Sequence, residues 1–203
     1  MIDMEPASQR DATPCPAVVY LIGYPGAGKL TVAKALAGLG DQPRRWKIID
    51  SHYINNVIFE LVEPDGITPI AEAVWERVEE VREAVLRTVE TLSPPQLSFV
   101  FTNVLIADSA PDAQVFRRVA EMAVKRQSTF LPVQVTCDVS ELERRIVNPD
   151  RRRAMKWVDG NGIRRYVDST KLFDVRPYGG LHLDTTTLAP QDAVAKILTA
   201  LKE

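Results

Sequence analysis

The chain has 203 residues, 45% of them hydrophobic and 26% charged, with a formal net charge of -2. That composition supports a sizeable core in one domain. The near-neutral balance argues against a broad cationic surface for long nucleic acid. Cys15 and Cys137 show neither metal nor disulfide-framework spacing, and no apolar run reaches the roughly 20 residues of a membrane span. A protein without membrane attachment, in a reducing cytoplasm, is expected.

Residues 1–16, with Pro6, Pro14 and Pro16 and no apolar leader core, read as a flexible tail preceding a single domain over 17–203. Ala17–Ile22 is a continuous apolar run of strand length, as a strand buried on both faces requires. Gly23-Tyr24-Pro25-Gly26-Ala27-Gly28-Lys29 follows, and then Val32, Leu36 and Leu39 mark a helical face that Gly40 closes. Trp46–Asp50 is a second strand ending in a carboxylate. Residues 53–62 form a short helix broken at Glu63-Pro64-Asp65-Gly66. Val74, Val78, Val81, Val85, Val89 and Leu92 then predict a long amphipathic helix over about 70–92, its charge-rich side read as a solvated face.

Pro94-Pro95 stops that helix, and Leu97–Asn103 is a third strand. Val115, Val119 and Met122 mark another helix, and Phe130–Thr136 is the fourth strand. Ser140-x-x-Glu143 has the pattern of a capping box, opening a helix with Leu142 and Ile146 inward. A basic, turn-rich segment occupies 148–166. Leu181–Asp184 is the last strand, with His182 read as structural, and a C-terminal helix carries Val194, Ile197, Leu198 and Leu201 inward. Five alternations of strand and helix predict a three-layer α/β sandwich around a five-stranded parallel sheet. Gly23–Lys29, Asp50–His52, Thr102-Asn103 and Asp184–Thr187 all follow strand ends, so they should share the rim where such sheets bind ligands.

The first loop has the spacing G-x-x-x-x-G-K between a strand and a helix. Glycines there let backbone N–H groups converge on phosphate oxygens, the helix N-terminus favours negative charge, and the lysine adds a cation. The pattern calls for Ser or Thr directly after the lysine, as a Mg²⁺ ligand. Here Leu30 stands in that place and Thr31 follows it. Asp50 fits a general base or a metal-side carboxylate in phosphoryl transfer, or a simple cap on the next helix. Arg144, Arg145, Arg151, Arg152, Arg153 and Lys156 lie within thirteen positions. They read as cations carried by a closing lid, with a solvated surface as the alternative.

The glycine loop, the acid-ended second strand, the arginine-rich segment and Leu183-Asp184-Thr185-Thr186 together resemble small P-loop kinases. That group includes shikimate kinase, gluconate kinase and chloramphenicol phosphotransferase, and this chain would be a Gly-Lys-Leu-Thr variant of it. The resemblance implies sheet order 2-3-1-4-5, ATP and Mg²⁺ as cofactors, an acceptor-covering region over 52–93 and a mobile lid over 148–166. Carried over, Gly23, Gly26, Ala27, Gly28, Lys29, Leu30 and Thr31 hold ATP phosphates, and Asp184 and Thr186 lie where relatives hold adenine. Lys29, Asp50, Arg145 and Arg152 are the catalytic candidates. His52, Asn55 and Asn103 are the substrate-binding ones, with Tyr53, Ile54, Asn56, Phe59 and Trp75 as further lining residues. With Leu30 unable to ligate, the metal would rest on Asp50 and water, or metal dependence would change.

The leading expectation is an ATP-dependent kinase that phosphorylates a hydroxyl of a small metabolite. The alternatives are a nucleoside, nucleotide or polynucleotide 5′-kinase, and a nucleotide-binding module without transfer. No Asn-Lys-x-Asp segment follows to support a GTPase.

Overall fold

The computed structural model describes residues 15–40, 44–65 and 67–202. Most of the expected tail, and Gly66 of the expected helix break, lie outside that range. The strands are β1 (Ala17–Ile22), β2 (Arg45–Asp50), β3 (Leu97–Asn103), β4 (Thr129–Thr136) and β5 (Leu181–Asp184). They form one five-stranded sheet, every pairing parallel, in the order β2-β3-β1-β4-β5. The helices are α1 (Lys29–Ala37), α2 (Ser51–Val62), α3 (Glu72–Thr91), α4 (Ala110–Lys125), α5 (Val139–Ile146), α6 (Pro149–Arg153), α7 (Gly160–Ser169) and α8 (Pro190–Ala200).

The unbroken apolar run of β1 is explained by its place at the centre of three layers. Ala17, Val19 and Leu21 face one core, with Val32 and Leu36 of α1, Leu142 and Ile146 of α5 and Val194 and Ile197 of α8. Val18, Tyr20 and Ile22 face the other, with Leu86 and Val89 of α3 and Val115, Phe116 and Val119 of α4. A strand covered on both sides has no solvent face to make polar. Tyr20 stacks on Phe116 at 6.1 Å and meets Phe101 edge-on at 6.2 Å.

Three local expectations are corrected. Helix α1 stops at Ala37 with Gly38 as its C-cap, its N–H donating to Lys34 O, so Gly40 (φ 76°) belongs to the turn beyond. Leu92 is 78% exposed, and the fully buried residues of α3 are Val78, Leu86 and Val89. The Ser140-x-x-Glu143 box does not form, because the N-cap of α5 is Asp138, two residues before Ser140. The two acids of α5 serve longer pairs instead: Glu141 with Arg144 and Arg145, and Glu143 with Arg164.

The order places β3 on one side of β1 and β4 on the other, so the chain reverses its direction of winding at β1. The carboxyl ends of strands part at such a point, which opens a crevice beyond the rim. Asp50 is level with Thr102, Ile22 with Asn103, and Thr136 with Asp184. That crevice is the large cleft of the molecule, about 1350 Å³.

Candidate active site

The loop after β1 supplies one wall. Gly26 (φ 89°) and Gly28 (φ 83°) hold the left-handed backbone that a side chain would strain, and α1 begins directly after Gly28. Gly23 has a different reason to be glycine. A Cβ there would sit 2.2 Å from Val135 O, so β1 and β4 approach as closely as they do because none is present. Gly23→Ala should therefore cost roughly 1–3 kcal/mol by overpacking. Urea unfolding measures it, and an unchanged midpoint would contradict it.

Lys29 turns back into the loop, donating from Nζ to Gly23 O (2.6 Å) and Tyr24 O (2.8 Å). Burial, with Arg151 and Lys156 nearby, brings its ammonium down to about 7 against a partial offset from Asp50. A lysine so placed lacks a strong counter-charge. Gly26, Gly28, Leu30 and Thr31 line the cleft beside it, whereas Gly23 and Ala27 do not. Ala27 acts through its backbone: Thr185 Oγ1 donates to Ala27 O at 2.9 Å, tying the loop to the end of β5.

Thr185 is a residue that sequence reading missed. Asp184 and Thr186, named in its stead, bond to each other (Thr186 Oγ1 to Asp184 Oδ1, 2.6 Å) and do not line the cleft. Continuing the period-two alternation of β5 past buried Leu183 would have pointed to Thr185, which is 5% exposed. Arg145 is held over the same place. It pairs with Glu141 (2.6 Å) and donates to Thr185 O (2.9 Å), with Nη1 3.7 Å from where a Gly28 Cβ would stand. A guanidinium thus sits above the N-terminus of α1.

Asp50, 3% exposed at the end of β2, is the hub of the opposite wall. Its Oδ1 accepts from Thr102 Oγ1 (2.7 Å) and from His52 N (3.3 Å), capping α2, and its Oδ2 accepts from Lys156 Nζ (2.9 Å). Burial alone would raise the carboxyl, but Lys156 and Thr102 outweigh it and hold it below the ordinary value. The capping role and a place on the cleft wall are therefore both present.

His52, Asn55 and Asn103 all line the cleft. Burial, reinforced by the Lys156 charge, lowers His52 to about 4, so the imidazole is neutral. Asn55 is 7% exposed and its Oδ1 has no hydrogen-bond partner. Asn103 is committed inward, donating to Tyr20 Oη (3.1 Å) and accepting from Val104 N (2.9 Å). Of the further lining candidates, Phe59 and Trp75 do face the cleft. Tyr53, Ile54 and Asn56 do not; Tyr53 is exposed and Ile54 sits in a small core with Phe59 and Val78.

The basic segment is folded down onto this site. Asn148 and Asp159 cap α6 and α7 with their side chains, and between the helices Met155 takes a positive φ of 50°. From that bend Met155 packs against the Ile54–Phe59–Val78 core, Lys156 reaches Asp50, and Arg151 donates twice to Trp157 O (3.1 and 3.2 Å). Arg151 lines the cleft; Arg152, the expected contact, is exposed and does not. Arg152 follows Arg151 by one position in α6, so its side chain points about 100° round the helix from that of Arg151.

A nucleotide's phosphates fit this donor set, since the loop backbone and four cations converge around it. Magnesium does not fit it in the same way. Leu30 replaces the first hydroxyl, Asp50 already carries an ammonium, and among the described residues no three His, Cys, Asp or Glu side chains converge to hold a metal. The expectation that Asp50 holds the metal therefore finds no support in these contacts.

Neither a family model nor a curated protein matches the sequence. Solved structures do match the fold. A sugar kinase from Janibacter sp. HTCC2649 superimposes with a TM-score of 0.60 at 12% identity, over 92% of this chain and 95% of that one. Shikimate kinase from Acinetobacter baumannii, in complex with shikimate, gives 0.54 at 19% identity over 92% and 93%. The Mycobacterium tuberculosis APS kinase bound to AMPPNP and APS gives 0.56 at 15% identity over 94% and 99%. The fold is that of the small P-loop kinases. Among the described residues no helix is long and apolar enough to cross a membrane.

Proposed function

We propose that the protein is an ATP-dependent phosphotransferase that moves the γ-phosphate to a hydroxyl of a small molecule. One observation carries this reading: the glycine loop, Lys29, Arg145, Arg151 and Lys156 meet Asp50, His52 and Asn55 across one cleft. Cations on one wall suit a polyphosphate, and a buried carboxylate on the other suits a hydroxyl to be activated.

In this reading the loop amides and the start of α1 bind the phosphate oxygens, and Lys29 leaves Gly23 O and Tyr24 O to join them. Arg145 and Arg151 offset charge that spreads over the transferring group. Asp50 orients the acceptor hydroxyl and takes its proton late in transfer, once Lys156 has moved from Asp50 to the phosphate. Any divalent ion would be carried by the nucleotide's own phosphates rather than by side chains. We assign 52–93 to the acceptor side, 148–166 to the lid and 17–203 to a single catalytic unit. The free thiols of Cys15 and Cys137 suit a cytoplasmic setting.

The two neighbouring lid arginines test the assignment. Arg151→Ala should slow transfer at least tenfold, about 1.4 kcal/mol or more of transition-state stabilisation, while Arg152→Ala stays within about twofold. Steady-state ATP consumption with a phosphorylated acceptor reads both. Equal effects, or a larger loss at Arg152, would reject this placing of the lid.

A further inference from the structure

We infer that the acceptor is an uncharged, hydroxyl-bearing molecule with an apolar, ring-containing body, bound between α2, α3 and the lid. This rests on the phosphotransferase reading and names the substrate class it requires.

The first argument is the graded face of α2. Asp50 at its N-cap, then His52, Asn55 and Phe59, follow at spacings of two, three and four and all line the cleft. That face is ionic at the sheet rim, neutral-polar one turn out and aromatic beyond. A ligand following it would point a hydroxyl at Asp50 and carry an apolar body at its other end. Phe59 and Trp75 meet edge-to-face at 5.7 Å, and Met155 closes over the same apolar core from the lid. Trp75 and Ile67 also line the cleft, and they remain 43% and 61% exposed. Large apolar groups left open inside a cleft mark a surface that a ligand's apolar part covers.

The second argument is charge. Arg82 is the cation of α3 that lines the cleft, and it is neutralised by an ion pair with Glu79, which lines it too. The charged side chain facing in from the start of α4, Asp112, is acidic and accepts from Ile106 N at 2.8 Å. Lys29, Arg145 and Arg151 belong to the phosphate side, and Lys156 on the acceptor side is already paired with Asp50. A carboxylate or phosphate on the acceptor would thus enter a wall of no net positive charge and lose hydration without a partner.

The third argument is Asn55 Oδ1. It is a buried acceptor without a donor, and such atoms find partners. A hydroxyl or N–H on the ligand would supply one.

The experiment pairs neutral ring-bearing alcohols with anionic counterparts. Aryl diols stand against aryl hydroxy acids, and nucleosides against nucleoside monophosphates, with gluconate and shikimate as polyhydroxy-carboxylate controls. Transfer is read by mass spectrometry, and acceptor binding by Trp fluorescence with a non-hydrolysable ATP analogue, Trp75→Phe serving as control. Neutral members should be preferred by at least about tenfold in kcat/KM. Asn55→Leu should raise acceptor KM while leaving ATP affinity unchanged. Glu79→Gln, which frees Arg82, should move the preference toward the anionic members by a similar factor. Absence of ATP binding would overturn the phosphotransferase reading beneath this one. With ATP bound, two results would overturn the acceptor class alone: preference for an anionic member, or no response from any neutral member in both readouts.

Discussion

Asp50→Asn should abolish phosphoryl transfer while leaving ATP affinity within about threefold, because general-base assistance is worth roughly 10²–10⁴ in rate. The amide keeps the size of the carboxylate and can still accept from Thr102 Oγ1 and cap α2. It can neither take the acceptor's proton nor balance Lys156, whose Nζ lies 2.9 Å from Asp50 Oδ2 with 13% of its side chain exposed. Stability should therefore fall as well. Removing one partner of a fully buried pair costs about 3–5 kcal/mol, and the segment carrying Lys156, proposed above as the lid, would release it to water, so a smaller loss is expected. The double variant Asp50→Asn, Lys156→Met separates the two effects. It should recover much of the lost stability in urea titrations and none of the activity. Turnover unchanged in Asp50→Asn would remove the carboxylate from the mechanism.

Lys29→Met should weaken ATP binding by at least about a hundredfold, near 2.7 kcal/mol, since it removes the cation at the mouth of the loop. Its stability effect has the opposite sign. Burial depresses Lys29 to about 7, below the 10.5 of a free lysine, so folding is penalised while the group is protonated. That penalty is full below about pH 7 and fades as pH rises toward the unfolded value, where both states are neutral. The variant should thus exceed the parent in thermal stability at pH 6 and lose that margin toward pH 10. Binding a polyanion restores the proton, so ATP association near pH 8 should take up protons. Affinity should fall as pH rises above 7. A binding constant flat between pH 6 and 9 would contradict this account of Lys29.

Much of the fold is legible in the chain because each signal is local. The unbroken run of β1 reads as a strand covered on both faces, as it is, and the glycines after it read as a phosphate-binding turn. Asp50 was visible as an acid at a strand end. What escaped reading depends on partners distant in sequence. Lys156 meets Asp50 across 106 residues, and neither neighbourhood hints at the other. Arg151 rather than Arg152 reaches the cleft because α6 starts at Pro149, and one residue of phase decides which guanidinium turns inward. Thr185 lies one step past a strand end, between the two residues named in its place. The charged side of α3 reads as solvated on periodicity alone, and Glu76, Arg77, Glu80 and Arg87 are exposed, yet Glu79 and Arg82 of the same helix also line the cleft. Gly23 reads as a phosphate contact, and the approach of Val135 O, to within 2.2 Å of where a Cβ would stand, is a second reason for glycine that the sequence does not show.

The protonation of Lys29 links the folded state to the ligand, so calorimetry of ATP binding tests the central claim most directly. ATP is titrated into the whole chain near pH 8 in two buffers of different ionisation enthalpy, and then into Lys29→Met. The account predicts saturable binding with net proton uptake in the parent and loss of both in the variant. No binding heat at millimolar ATP, or binding undiminished in Lys29→Met, would contradict it.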